Sequence, residues 1–165
     1  MPLKFDIRSD FAEGREVQKR IMDDVERLGF DDHSTFAIKL AVEEALINAI
    51  KHGNQLDPAK KVHIQAKVTP KRFEITIEDE GKGFARQEVP DPTADENVCK
   101  CSGRGILLIE NFMNVVRWTR GGRRLKMVKN NEAFPLQSIV SISSVQYSLT
   151  SKRSGAAATP VGKRT

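Results

Sequence analysis

Apolar and polar residues alternate along several short stretches of the chain, a period of two that is typical of β-strands. Leu3, Phe5 and Ile7 predict a short opening strand. Two pairs of similar runs predict antiparallel hairpins, residues 62–68 with 73–78 and residues 115–119 with 125–128.

Between these runs the apolar period lengthens to that of amphipathic helices. Asp10 is placed to cap a helix over residues 11–28, which Gly29 ends. A second helix is predicted over 34–52 and a third over about 103–113. The core residues expected from the second helix are Phe36, Leu40, Ala41, Ile47 and Ile50.

The order of these elements is strand, two helices, hairpin, long loop, helix and hairpin. It predicts an α/β (α+β) two-layer sandwich, with helices on one face of a mixed, mainly antiparallel sheet. Residues 79–102 lack periodicity and have the length of a lid or binding loop. The domain prediction is one domain over 1–134 and a Ser-rich basic tail over 135–165, which adds at most one strand before becoming disordered.

Composition changes this picture little. Of the 165 residues, 39% are hydrophobic and 30% are charged, which is typical of a soluble globular protein. No apolar run approaches the ~20 residues of a membrane-spanning helix. The N-terminus also lacks the apolar region of a signal peptide, so a cytoplasmic location is expected.

The net charge of +5 raises the question of nucleic-acid binding. The tail contributes four basic residues and no acidic ones, so the rest of the chain is nearly balanced. One basic patch remains, made of Arg117, Arg120, Arg123, Arg124 and Lys126. With few aromatic residues and no DNA-binding motif, we interpret it as a solvated hairpin or a protein-docking surface, without direct nucleic-acid contact.

The two cysteines, Cys99 and Cys101, are separated by one residue. This spacing is poor for a disulfide between them, and two ligands do not complete a tetrahedral zinc site. Reduced thiols in a loop are therefore expected.

The second predicted helix carries a polar stripe. Glu44, Asn48 and His52 lie four residues apart, so an α-helix places them on one face. An asparagine oxygen can bind Mg²⁺, which takes few protein ligands. Glu44 can accept the proton of a hydroxyl that is being phosphorylated, whereas Glu43 points about 100° away. A solvated helix face is the alternative interpretation.

A second motif, residues 79–84, follows a strand rich in isoleucine. Asp79 at a strand end can accept a hydrogen bond from an exocyclic amine. Gly81 and Gly83 lack a Cβ, which allows the backbone to approach a flat ring. An ordinary acidic glycine turn has the same composition.

A third motif, Gly103, Arg104 and Gly105, begins the third predicted helix. Free N–H groups and the positive end of the helix dipole make such a position suitable for phosphate. A tight loop that enters a helix is the alternative.

Together and in this order, the three motifs resemble the N, G1 and G2 boxes of the GHKL (histidine kinase-like) ATPases. The resemblance covers about residues 3–130. The stretches 42–53 and 103–110 are similar to those of the bacterial anti-sigma factor serine/threonine kinases.

This resemblance implies a Bergerat-type ATP-binding fold with a lid, and ATP and Mg²⁺ as ligands. Glu44 would be the catalytic base and Asn48 the residue that holds Mg²⁺. The implied nucleotide-binding residues are Asn48, Asp79, Gly81, Lys82, Gly83, Gly103, Arg104 and Gly105.

The resemblance also implies partners. The kinase would phosphorylate a serine of an anti-anti-sigma (STAS-domain) protein, sequester a sigma factor and form a homodimer, without membrane contact. Members of the family commonly carry a small hydroxyl residue near the final strand, where this chain has Arg123 and Arg124. Three alternatives remain open: a non-catalytic ATP-binding regulatory module, a detached histidine-kinase catalytic domain, and a nucleic-acid-binding protein.

Overall fold

The computed structural model describes residues 2–83 and 104–133. These residues form β1 (Leu3–Arg8), α1 (Phe11–Arg27), α2 (Asp32–Ile47), a π-helical turn (Asn48–Gly53), β2 (Lys61–Thr69), β3 (Arg72–Asp79), α3 (Arg104–Phe112), β4 (Val115–Thr119) and β5 (Arg124–Asn130).

The strands form a single five-stranded sheet in the order β1-β2-β3-β5-β4. Each of the four pairings is antiparallel, so the described part of the sheet has no parallel pair. In the centre, Ile77 pairs with Ile64 of β2 on one side and with Leu125 of β5 on the other. The predicted two-layer fold class and both predicted hairpins are confirmed.

One face of the sheet is apolar, and the helices pack on it. Inward-facing residues of β2, β3 and β5 meet the buried stripes of α1 and α2, because alternate residues of a strand point to the same face. The largest fully buried side chains are Phe73, Ile21, Ile38, Ile50, Ile64, Ile75, Ile77, Ile109, Met127, Val25, Val42 and Val62. This layer fixes α2 above the sheet.

The first helix begins at the predicted residue and ends one residue before the predicted end, at Arg27. The side chain of Asp10 accepts hydrogen bonds from the N–H groups of Ala12 and Glu13 at 2.7 and 3.0 Å. Gly29, just after the helix, has φ +71°, a conformation that glycine adopts at low cost.

The second helix begins and ends earlier than predicted, since it runs from Asp32 to Ile47 and a π-helical turn follows it. Asp31 caps it by accepting from the N–H of Ser34 at 2.8 Å, so the helix begins at Asp32 rather than at Ser34. Phe36 was expected in the core but is 57% exposed, and it packs edge-to-face on Phe112 of α3. Leu40 and Ile47, also expected in the core, are only partly buried. The buried residues of α2 are instead Ser34, Ala37, Ile38, Ala41, Val42, Ala45 and Leu46.

The basic patch lies on the β4–β5 hairpin, and three of its five side chains pair with two glutamates of β3. Arg120 and Arg124 both bind the carboxylate of Glu78, and Lys126 lies 3.4 Å from that of Glu74. These pairs support the interpretation of a solvated hairpin.

Several predictions concern residues outside those that the structure describes. They are the lid from residue 84 to 102, Cys99, Cys101, Gly103 and the tail over 135–165. The predicted domain boundary at 134 therefore stays a prediction. Within residues 2–83 and 104–133, no helix has the length and apolar character that a bilayer crossing requires.

Candidate functional site

The first and third motifs meet where α2 passes the start of α3. Glu44 is half-buried in α2, and its carboxylate lies against Gly105, the second residue of α3. A Cβ at position 105 would overlap Oε2 of Glu44 and lie 3.2 Å from its carboxyl carbon. Glycine therefore allows the start of α3 to approach this carboxylate closely. For Arg104, the first residue of α3, the structure describes the backbone alone.

Directly after α2, the chain enters a π-helical turn that begins at Asn48. The N–H of Asn54 donates to the carbonyl of Ala49 at 2.8 Å, the i to i+5 bond of this geometry. The predicted alignment of Glu44, Asn48 and His52 assumed an α-helix throughout, so it does not extend to His52, which is exposed. Short π-helical turns occur frequently at functional sites.

The amide of Asn48 has unused hydrogen-bonding capacity. Its Nδ2 is buried and has no partner among the residues that the structure describes. An unpaired buried donor is costly, which favours a ligand that would accept from it. The side-chain oxygen of the same amide suits Mg²⁺, which usually takes only one or two protein ligands beside phosphates and waters. The residues present therefore fit a magnesium-bound polyphosphate.

The second motif places a buried carboxylate at the end of β3. Asp79 is 8% exposed, and its Oδ1 accepts from the N–H of Gly81 at 2.8 Å. Burial raises the pKa of the Asp79 carboxyl, while the hydrogen bond from Gly81 and the charge of Arg123 act in the opposite direction. A carboxylate at this position can accept a hydrogen bond from an amine.

The end of the first motif touches the second motif. A Cβ on Gly53 would lie 2.6 and 2.7 Å from the two carboxylate oxygens of Asp79. A Cβ on Gly81 would overlap the carbonyl oxygen of Gly53. Glycine is therefore required at both positions for this contact.

The remaining residues of the second motif lie beside the β4–β5 turn. Gly83 has φ +80°, and a Cβ there would overlap the carbonyl oxygen of Gly121. Lys82 is exposed. Arg123, where a small hydroxyl residue was expected, accepts from the N–H of Asp79 through its carbonyl at 3.0 Å. The positive charge of Arg123 also acts to lower the pKa of the Asp79 carboxyl.

Sequence reasoning missed two polar groups that hold Glu80, the neighbour of Asp79. Asn54 is fully buried, and its Oδ1 accepts from the N–H of Glu80 at 2.8 Å. His63 lies between two carboxylates, with Nδ1 at 2.6 Å from Asp6 and Nε2 at 3.2 Å from Glu80. The sequence carries little signal for either, because asparagine after a helix and histidine in a strand are ordinary.

The segment 44–53 therefore contacts both other motifs. Glu44 lies against the start of α3, and Gly53 lies against Asp79. At one end of the site, the carboxylate of Asp79 is suited to accept a hydrogen bond from an amine. At the other end, the start of α3 and the half-buried amide of Asn48 are suited to phosphates and a cation. The structure brings Glu44 next to Gly105, and Gly81 next to Asp79 and Gly53. Asn48 begins the turn that lies between these two contacts along the chain, and Lys82 is exposed.

Comparison with known proteins agrees with this geometry. The family model of the histidine kinase-like ATPase domain matches residues 7–129. This match includes all three motifs and every described strand except parts of β1 and β5.

Among curated proteins, the chain is similar to several named anti-sigma F factor. It is 40% identical over 82 residues to that of Halalkalibacterium halodurans, covering 48% of this chain and 56% of the relative. The protein of Anoxybacillus flavithermus is 33% identical over 98 residues, covering 56% of this chain and 67% of the relative. The chain thus spans about half to two thirds of the length of these relatives.

Among solved structures, the fold is similar to that of the RsbU and RsbW domains of a Mycobacterium tuberculosis protein. The TM-score is 0.54 at 15% identity, and the match covers 79% of this chain and 31% of the other. At this identity the likeness concerns the fold alone.

Proposed function

Because the chain belongs to the histidine kinase-like ATPase domain family, we propose that it is an ATP-dependent serine kinase that acts on an anti-anti-sigma protein. The observation that carries this proposal is the contact of one segment with both other motifs. Glu44 and Gly53, nine residues apart, touch Gly105 and Asp79. A single bound nucleotide, with its base at Asp79 and its phosphates at the start of α3, would join these contacts.

The proposed nucleotide contacts follow from the chemistry of each group. Asp79 would accept from the exocyclic amine of adenine, because its buried carboxylate keeps acceptor capacity beyond the bond from Gly81. The N–H groups at the start of α3 would bind phosphate oxygens, with Gly103, Arg104 and Gly105 forming the cradle.

Asn48 would hold Mg²⁺ through its amide oxygen, while its buried Nδ2 would donate to a phosphate oxygen. When bound, Mg²⁺ neutralises phosphate charge and aligns the phosphoryl group for transfer. The protein's own part would be to hold this amide at the junction of α2 with the π-helical turn, where Asn48 lies.

Glu44 would act as the general base. The oxygen of a partner's serine would form a bond to the γ-phosphorus, and the bond to the bridging oxygen would break, so that ADP leaves with the electron pair. The proton of the serine hydroxyl would pass to the carboxylate of Glu44. Phosphoryl transfer depends mainly on positioning and charge neutralisation, so a small set of groups suffices.

The partners are proposed from the relatives. Several proteins named anti-sigma F factor are 33–40% identical to this chain over part of their length. On this basis the chain would sequester a sigma factor and phosphorylate the STAS-domain antagonist that releases it. A homodimer remains a prediction.

Two measurements test the proposal. Titration calorimetry with ATP, with and without Mg²⁺, tests nucleotide binding. Incubation with Mg-ATP and candidate anti-anti-sigma proteins tests transfer, with acid-stable phosphoserine as the expected product. Binding without transfer to any such protein would favour the non-catalytic regulatory module, and an acid-labile product would favour a histidine kinase.

A further inference from the structure

A fully buried asparagine outside the three motifs, Asn54, forms hydrogen bonds to three separate segments of the chain. Asn54 follows the π-helical turn and is 0% exposed. Its Nδ2 donates to Oγ of Ser9 at 2.9 Å and to the carbonyl of Lys61 at 2.8 Å. Its Oδ1 accepts from the N–H of Glu80 at 2.8 Å. One side chain thus connects the end of β1, the start of β2 and the residue that follows Asp79.

This side chain acts on the same loop as Gly53, its neighbour. Gly53 contacts the carboxylate of Asp79 and the backbone of Gly81, while Asn54 holds the N–H of Glu80 between them. The two residues therefore fix the loop from consecutive backbone positions. A shift of the Glu80 backbone would turn Asp79 away from its position, since the two residues share a peptide bond.

The side chain of Glu80 is held independently. Its Oε2 accepts from the N–H of Lys61 at 2.8 Å, and its Oε1 lies 3.2 Å from His63. These bonds fix the carboxylate of Glu80, whereas Asn54 binds its backbone N–H. The peptide that joins Asp79 to Glu80 depends on Asn54 alone among the described side chains.

We propose that Asn54 is a positioning residue for base recognition, which sets the Asp79 carboxylate through the backbone of Glu80. This inference rests on the proposed ATP-binding function and deepens it, because it assigns base selectivity to a side chain that does not touch the nucleotide. Loss of Asn54 should affect recognition of the exocyclic amine more than recognition of the phosphates.

A purely structural role is the competing explanation, and the chain contains a matched control. Asn131 is 1% exposed, and its Nδ2 donates to the carbonyls of Gly29 and Pro70 at 3.0 and 2.8 Å. Its Oδ1 accepts from the N–H of Ala133 at 3.1 Å. Asn131 therefore matches Asn54 in residue type and burial, and it likewise donates twice through Nδ2 and accepts through Oδ1, but it lies at the opposite end of β3 from Asp79.

The experiment compares full-length wild type, Asn54→Ala and Asn131→Ala by titration with Mg-ATP and with Mg-inosine triphosphate. Inosine triphosphate has the same phosphates but lacks the exocyclic amine. Wild type should prefer ATP by at least about tenfold, since a hydrogen bond to a charged group is lost. Both variants should melt at lower temperature, but only Asn54→Ala should bring the ratio of the two affinities close to one.

The outcomes separate the two proposals. If wild type binds neither nucleotide, the proposed function and this inference both fail. If wild type prefers ATP and Asn54→Ala keeps that ratio, or if Asn131→Ala loses it equally, the positioning role alone is wrong. If Asn54→Ala does not fold, Asn54→Ser decides. Its shorter side chain removes the acceptor of the Glu80 N–H but keeps a polar group at the site, so the ratio of the two affinities should again fall close to one, and a preserved preference for ATP would contradict the proposal.

Discussion

Gly53 lies directly against the carboxylate of Asp79, so that a Cβ at position 53 would stand 2.6 and 2.7 Å from the two carboxylate oxygens. This contact joins the end of the π-helical turn to the end of β3 across 26 residues of chain. Because Asp79 is only 8% exposed, its carboxylate has little free space into which to move. The contact therefore makes the geometry of one motif depend on that of another.

Gly53→Ala should weaken ATP binding at least roughly tenfold, or about 1.4 kcal/mol, because the added methyl group displaces the Asp79 carboxylate. Titration calorimetry measures the effect. Gly29→Ala is the control: position 29 has φ +71°, with no atom near the added Cβ. That control should cost about 1 kcal/mol of stability, because an L-residue is strained in this left-handed conformation, and should leave ATP affinity unchanged. Equal affinity in wild type and Gly53→Ala would show that the contact does not matter for binding.

Asp79→Asn should raise the melting temperature at pH 7 in the absence of nucleotide, while it weakens ATP binding. Burial raises the pKa of Asp79 in the folded protein. The folded state therefore binds this proton more tightly than the unfolded state, and wild-type stability is lost as pH rises through the titration range of this carboxyl. The neutral amide avoids that loss.

The gain for Asp79→Asn should consequently shrink as pH falls towards 4. Roughly 2–4 °C is expected for each kcal/mol in a chain of this size, and thermal melts at several pH values measure it. Asp23→Asn, on the exposed side of α1, should change stability by less than about 0.5 kcal/mol at all pH values. A lower melting temperature for Asp79→Asn at pH 7 would contradict the account of its burial.

Asn48→Ala should remove the Mg²⁺ dependence of ATP binding without loss of stability. The Nδ2 of Asn48 is buried without a partner among the described residues, and such a donor costs about 1–3 kcal/mol. Its removal should therefore leave the melting temperature unchanged or raise it. Lys51→Ala, an exposed change in the same π-helical turn, should keep both properties. Unchanged Mg²⁺ dependence in Asn48→Ala would move the metal site elsewhere.

Glu44→Gln should bind Mg-ATP with affinity close to that of wild type but transfer phosphate roughly 10²–10⁴-fold more slowly, since glutamine cannot accept the proton. Phosphoserine formation on the anti-anti-sigma protein measures the rate. The adjacent Glu43→Gln, which is exposed, should transfer at the wild-type rate. If both variants transfer equally well, neither carboxylate is the base.

His63→Gln should lower the melting temperature at pH 6 more than at pH 9. The hydrogen bond to Asp6, followed by that to Glu80, raises the pKa of His63. The stabilisation is complete below the unfolded pKa of about 6.5 and is lost as pH rises through the higher folded pKa. Because the side chain is 42% exposed, we expect less than about 1 kcal/mol. The difference should diminish in high salt, and equal losses at both pH values would contradict it.

Local signals in the sequence predicted most of the fold. Asp10 and Gly29 bound α1 because a cap and a stop act on adjacent backbone groups. The alternation in residues 62–68 and 73–78 predicted the β2–β3 hairpin, since strand period and turn chemistry are also local. Phe36 was misplaced because a helix period does not reveal which of two apolar faces meets the sheet.

The sequence by itself determined the chemistry available to the site: a carboxylate and an amide on one helix, an aspartate after a strand, and glycines at a helix start. It determined these because residue types and short spacings suffice to describe them. Only the tertiary structure decided which groups meet. Gly53 touches Asp79, and Asn54 holds Glu80 across 26 residues, because packing of α2 on the sheet brings distant segments together. The π-helical turn also belongs to this second class, since it ends at Gly53, which lies against Asp79 of β3.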